Sequence, residues 1–252
     1  MNRSVLILLI SGVTLTFFST TSEAQIWKMK RYEAVAGIGP SFFFGDIGGY
    51  SKGENILGIK DLSFKQTRFN INMNLKYRLT QDLNARLSLT YGLLHATDER
   101  GSNEGRQMEA SISIFEPALI GEYYFIKNRA ENSYLFNKGR GNFITTMKSL
   151  DFYFFSGIGL VNYSVRRNEA LAIKGMNPSG FAGVVPLGLG TTLVYSPDIN
   201  FGLEVGGRYT FTDSLDNYTS QYSSSNDVYY FLNFTVTYKL KSRSNGMPSF
   251  RK

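Results

Sequence analysis

Cysteine is absent from the 252-residue chain, and histidine and tryptophan occur once each, as His95 and Trp27. Without thiols there is no disulfide, no thiolate nucleophile and no cysteine-based metal site, so backbone pairing and packing must hold the fold. No cluster of His, Asp and Glu has metal-ligand spacing, and no cofactor is implied. Also missing is an apolar run long enough to cross a bilayer as a helix, which needs about 20 residues. The longest, Val5–Phe18, falls short. It follows the basic Arg3 and precedes Ser22-Glu23-Ala24, whose small residues suit a cleavage site. Residues 1–24 are therefore predicted to be a cleaved signal peptide. An exported chain without spanning helices can enter a membrane only as strands.

The net charge is +7. An exported protein rarely meets nucleic acid, so the basic balance points instead to lipopolysaccharide phosphates or an acidic periplasmic partner. Tyr and Phe are abundant, at 16 and 20. Amphipathic rings suit a molecule with polar–apolar boundaries at both ends.

Residues 68–79, RFNINMNLKYRL, show the dominant pattern. Arg68, Asn70, Asn72, Asn74, Lys76 and Arg78 share one parity; Phe69, Ile71, Met73, Leu75, Tyr77 and Leu79 share the other. Successive side chains of a strand face opposite ways, so one face is apolar and the other carries amides and cations. Comparable segments are predicted at about 33–45, 66–79, 83–96, 109–126, 150–165, 181–196, 199–212 and 228–240. A bulge is expected near Phe115–Pro117, where proline cannot donate to the ladder. These segments exceed the ~5–6 residues of a typical soluble strand and match the ~9–11 of a tilted transmembrane strand.

The connections run long, short, long, long, long, very short, long. An outer-membrane barrel alternates long outer loops with short periplasmic turns. Only the fourth connection, 127–149, breaks that rule. The fold expected is all-β, an eight-stranded antiparallel up-and-down transmembrane barrel over residues 25–240 in the cell outer membrane, followed by a basic periplasmic tail, 241–252. The apolar row then faces lipid and the polar row fills the interior, because eight strands leave no aqueous lumen. Arg68, Lys76, Arg86, Glu116, Glu122, Glu204 and Arg208 fall on interior positions and are expected to form a charge network.

Catalytic signals are sparse. His95 has Ser88 and Ser102 on the chain, but nothing in the sequence fixes a trio. Glu116, Glu122 and Glu204 could do acid–base work, yet Arg86 and Arg208 nearby favour structural ion pairs. The glycine-rich 37–49 stretch lacks the spacing and following helix of a nucleotide loop. Asp213, Asp216 and Asp227 do not match a calcium loop.

Two stretches carry a family resemblance. YEAVAGIGPSFFFGDIGG supplies Gly37, Gly39, Gly45, Asp46, Gly48 and Gly49; FTDSLD followed by NDVYYFLNF supplies Phe211, Thr212, Asp213, Leu215, Asp216 and Tyr229. Both ends of the chain thus resemble PorG-type barrels of the Bacteroidota type IX secretion system, although Ser214 stands where that family usually has tyrosine. The resemblance implies an outer-membrane component that associates with a periplasmic ring of PorK-type lipoprotein and PorN-type subunits, without catalytic residues. Within that reading, Lys127, Arg129, Tyr134, Phe136, Lys138 and Arg140 in the fourth connection are candidate partner contacts. The alternatives are an independent small barrel serving as an adhesin or envelope stabiliser, and a lipid-modifying enzyme.

Overall fold

A computed structural model describes residues 30–47, 65–99, 104–127, 150–174, 177–196, 198–219, 226–242 and 248–249. Eight long strands follow in chain order: β1 (Tyr32–Phe44), β2 (Arg68–Arg78), β3 (Leu83–Thr97), β4 (Glu109–Ile126), β5 (Leu150–Arg167), β6 (Ser179–Val194), β7 (Ile199–Thr210) and β8 (Val228–Ser242). Each pairs antiparallel with the next, and β1 pairs with β8 from Tyr32↔Leu240 to Phe44↔Val228, which closes the sheet. The fold is a closed eight-stranded up-and-down antiparallel barrel. A two-residue strand, β9 (Pro248–Ser249), folds back on Lys241 and Ser242. Between the long strands lie a 3-10 turn (Glu104–Arg106) and a short helix, α1 (Glu169–Lys174).

Side-chain parity is kept around the barrel. On β2, Asn70, Asn72, Asn74, Lys76 and Arg78 point inward and are buried, while Phe69, Ile71, Met73 and Leu75 are exposed on the wall, Met73 at 69%. Leu119, Ile158, Leu187, Leu189, Val205 and Phe234 continue this outward apolar surface. Aromatic pairs fringe it at both ends. Tyr32–Tyr77, Phe125–Phe152 and Tyr195–Phe201 lie at one end, Phe44–Tyr230 and Tyr209–Phe211 at the other. An apolar band between two aromatic girdles is how a barrel meets a bilayer and its two interfaces. The molecule is therefore an outer-membrane barrel. The chain enters β1 at the periplasmic end, where the β2–β3 and β6–β7 turns also lie.

Two expectations need correction. No bulge occurs at Phe115–Pro117: β3 and β4 pair continuously through Tyr91↔Phe115, Thr90↔Glu116 and Leu89↔Pro117. The register shift comes at Tyr124/Ile126, against β5, at the periplasmic rim. The second correction concerns polarity. Towards the outer end the interior is apolar, with Ile112, Ile114, Val161, Tyr163, Val165 and Val184 in one buried cluster. Ser111, Asn162, Ser164 and Arg166 take the outward positions there. Parity is unchanged along β4 and β5; what inverts is the chemistry on each face. The first six residues of β4, about 20 Å of strand, thus stand above the bilayer as an ordinary water-facing wall around an apolar core.

Candidate functional site

The interior forms two layers. In the periplasmic half, Lys76 of β2 and Arg86 of β3 face Glu122 of β4 and Glu204 of β7. Lys76 Nζ lies 2.8 Å from Glu122 Oε1, and Arg86 Nη1 lies 3.0 Å from Glu122 Oε1 and 2.6 Å from Glu204 Oε1. Two cations and two carboxylates balance. Tyr153 donates its hydroxyl to Glu204 at 2.5 Å, and Asn84 and Tyr124 donate to Glu122 at 3.3 Å each. The Arg86 guanidinium also stacks over the Phe155 ring at 5.0 Å. Burial would make each charge costly alone; pairing and hydrogen bonding across the barrel offset that cost.

A second pair lies nearer the outer layer. Arg208 Nε is 3.5 Å from Glu116 Oε1, and Tyr229 donates to Glu116 Oε2 at 2.5 Å. Arg68, expected in the network, is outside it. Its guanidinium donates to the Lys65 and Thr67 carbonyls at the outer rim, because β2 begins there and its first inward position lies above the charged layers. Sequence reading missed Tyr153, Asn84 and the Glu33–Arg78 pair, whose Oε1 and Nη2 are 3.1 Å apart. All four residues lie on inward positions, so parity alone marked them.

Small residues make room for these groups. A Cβ on Gly190 would sit 2.2 Å from the Tyr153 ring, which folds across the bare backbone of β6 to reach Glu204. A Cβ on Gly39 would sit 1.7 Å from the Leu232 carbonyl oxygen, where β1 approaches β8 closely.

The two motif stretches meet at the outer end. Asp216 accepts hydrogen bonds from the backbone amides of Asp46 at 3.0 Å and Ile47 at 3.1 Å through Oδ2, and from Tyr218 at 3.0 Å through Oδ1. Asp227 accepts from the Leu215 amide at 2.8 Å, and Leu215 inserts fully into the apolar cluster. Arg106 joins the same assembly, donating to both Asp98 oxygens at 3.0 Å and to the Asp46 carbonyl at 2.8 Å. This latch ties the exit of β1, the β3–β4 connection and the β7–β8 connection together over the barrel. Burial pushes the Asp216 carboxyl up to about 7. Burial and the neighbouring Asp216 charge push Asp227 up to about 9. The charge on one carboxyl thus influences the titration of the other. Phe211 is exposed on the outer wall; the Thr212 carbonyl accepts from the Asp227 amide at 3.1 Å, and the Asp213 carbonyl from Thr219. Gly37 packs against the Asn72 side chain and Gly45 against Phe43 and Asp227.

His95 meets neither serine proposed from the sequence. Ser88 faces inward on the opposite side of β3, and Ser102 lies outside the described residues. Its Nδ1 instead lies 3.1 Å from Ser111 Oγ, across the β3–β4 ladder, and its Nε2 lies 3.7 Å from Glu109 Oε1. The second distance exceeds a hydrogen bond, and the Glu109 carboxylate is half-exposed. Among the described residues no group of His, Asp and Glu is arranged to hold a metal.

Of the candidate partner contacts, only Lys127 is described. It donates to the Gln81 carbonyl and lies 4.5 Å over the Tyr124 ring at the periplasmic rim. Arg129, Tyr134, Phe136, Lys138 and Arg140 lie outside the described residues, as do Gly48, Gly49 and the predicted signal peptide.

No family model and no curated protein matches the sequence. Among solved structures the chain is similar to Neisserial surface protein A, at 10% identity and TM-score 0.42, covering 82% of this chain and 96% of that one. It is also similar to a major outer membrane protein from Thermus thermophilus, at 11% identity and TM-score 0.43, covering 82% and 98%. A third likeness is to the attachment invasion locus protein Ail of Yersinia pestis, at 12% identity and TM-score 0.39, covering 84% and 99%. Likenesses this distant carry no information on function.

Proposed function

We propose that this barrel is a non-enzymatic component of a type IX secretion system, anchoring a periplasmic ring of PorK-type and PorN-type subunits to the outer membrane. The observation that carries the reading is the contrast among the three connections at the periplasmic end. β2–β3 and β6–β7 are tight turns closed by Leu79 and Ser196 amides on the Leu83 and Ile199 carbonyls. The β4–β5 connection, 127–149, leaves from the same end, is far longer and is rich in Lys, Arg and aromatic residues. A barrel filled by paired charges and an apolar core conducts nothing, so it acts through its ends. The motif residues shared with PorG-type proteins support the same assignment, since Asp46, Leu215, Asp216 and Tyr229 occupy the latch and the layer beneath it.

Deletion of residues 130–146 tests the reading. Ring subunits should co-purify with the full-length barrel and be lost with the deletion variant, while the variant remains folded and inserted. Undiminished recovery would contradict this role for the segment.

A further inference from the structure

The lipid-facing wall is recessed along β1. That strand carries alanine at two successive outward positions, Ala34 and Ala36, while the residues in register on both sides are large: Leu75 and Met73 on β2, Tyr238 and Val236 on β8. All four large side chains are exposed on the wall. The β2 and β8 rows stand two strand spacings apart, about 10 Å, so the alanines floor a trough between them. Its volume is about 540 Å³, and Leu87 and Leu89 of β3 extend its lining beyond β2. That lining is apolar except for Asn74, which is buried in the interior.

Towards the periplasm the next outward pair is Tyr32 and Tyr77, whose rings lie 5.0 Å apart. They belong to the aromatic girdle, which marks the height of the membrane interface. Arg31 comes directly below. Its Nη1 donates to the Tyr77 hydroxyl at 3.1 Å, which holds the guanidinium on the outer face at headgroup height. A guanidinium has five N–H donors in a fork that matches a phosphate, so one tyrosine does not exhaust it. Lys30 beside it is neutralised by Asp198 at 2.5 Å.

An apolar trough in the hydrocarbon zone, with a cation at headgroup height beneath it, has the layout of one lipid molecule. We propose that this face binds a glycerophospholipid of the periplasmic leaflet, with one acyl chain over Ala34 and Ala36 and the phosphate on Arg31. Every wall residue meets lipid in passing. Here the trough gives one chain contact on three sides, and charge-assisted hydrogen bonds fix its headgroup. A two-fold dimer through the same face would instead bring two copies of Arg31 together at one height, where like charges repel.

The test extracts the full-length barrel from its own membrane into mild detergent, strips loosely held lipid by detergent exchange, and weighs the intact protein by native mass spectrometry. The variants are Ala36→Phe and Ala34→Leu, which fill the trough, Arg31→Gln, Arg31→Lys, and Leu187→Phe on the far wall, each confirmed as folded by its heat-modifiable migration. The wild-type barrel should keep one phospholipid. Arg31→Gln should lower its retention roughly tenfold, the weight of one charge-assisted hydrogen bond. Either trough variant should lower it by a similar factor, Arg31→Lys should keep part of it, and Leu187→Phe should change nothing. No retained lipid on the wild-type barrel, or equal retention by every variant, would overturn the proposal. So would loss with Arg31→Gln but not with the trough variants, which is a bare phosphate contact, or the reverse, which is chain packing without headgroup recognition. A lipid-free dimer broken by Ala36→Phe would assign the face to a second copy, and retained lipid A would place the ligand in the other leaflet; either overturns it.

Discussion

At the scale of single residues, the interior is an exercise in charge neutralisation. Arg86 touches both Glu122 and Glu204, so removing it leaves two buried carboxylates facing one lysine. Arg86→Leu is expected to cost about 3–5 kcal/mol, the usual penalty for breaking a buried ion pair from one side. Arg68→Ala, at the rim and bonded only to nearby carbonyls, should stay within about 0.5 kcal/mol. Urea unfolding of both variants in the same detergent, followed by tyrosine fluorescence, compares them directly. Both arginines lie on inward parity and look equivalent in the sequence. What separates them is height along the strand, which depends on strand pairing that no local pattern encodes.

At the scale of elements, the eight strands are legible because alternation persists for long stretches without a break in parity. Their ends agree with the structure to within two residues at most positions, for example 83–96 against Leu83–Thr97. The sense of that alternation is less legible. A row such as Ala110, Ile112 and Ile114 against Glu109, Ser111 and Ser113 reads alike whether the apolar side meets lipid or core. The answer changes along one strand, because β4 and β5 leave the bilayer and enter water. The proline at 117 suggests a bulge, yet the ladder passes it intact; β5 pairing there resumes at Ala118↔Gly159. The latch is half legible. The residues of both motif stretches stand out in the sequence, but their meeting is a consequence of barrel closure, which brings β1 beside β8.

The latch also makes a prediction about pH. Asp216 and Asp227 have folded values of about 7 and 9 against an ordinary 3.8. The folded latch therefore binds protons more tightly than the open one. Its stability is fully present below the ordinary value and is lost as the pH rises through about 7 and then about 9. Limited proteolysis of the outer loops should accelerate as the pH rises from about 4 to about 9, whereas the membrane-embedded wall stays protected. Asp227→Asn should remove the more alkaline phase of that change. A latch equally resistant across the range would refute the buried-acid reading.

At the scale of the whole molecule, the barrel is divided by height into three zones. The periplasmic mouth carries the Glu33–Arg78 pair and the two tight turns, the bilayer zone is a greasy wall around paired charges, and the outer zone is an apolar core closed by a latch. That division explains why a chain with no cysteine, and with little helix among the described residues, is nonetheless tightly specified: the closed ladder leaves no edge, and each zone satisfies its own solvent. The absence of native cysteine also permits a clean measurement of it. Single cysteines at positions 72, 73, 119 and 164, spin-labelled in lipid vesicles, report exposure to oxygen dissolved in lipid against a water-soluble paramagnet. Labels at Met73 and Leu119 should favour oxygen, the label at Ser164 should favour the aqueous reagent, and the label at Asn72 should be shielded from both. Aqueous exposure at Met73, or lipid exposure at Asn72, would contradict the barrel described here.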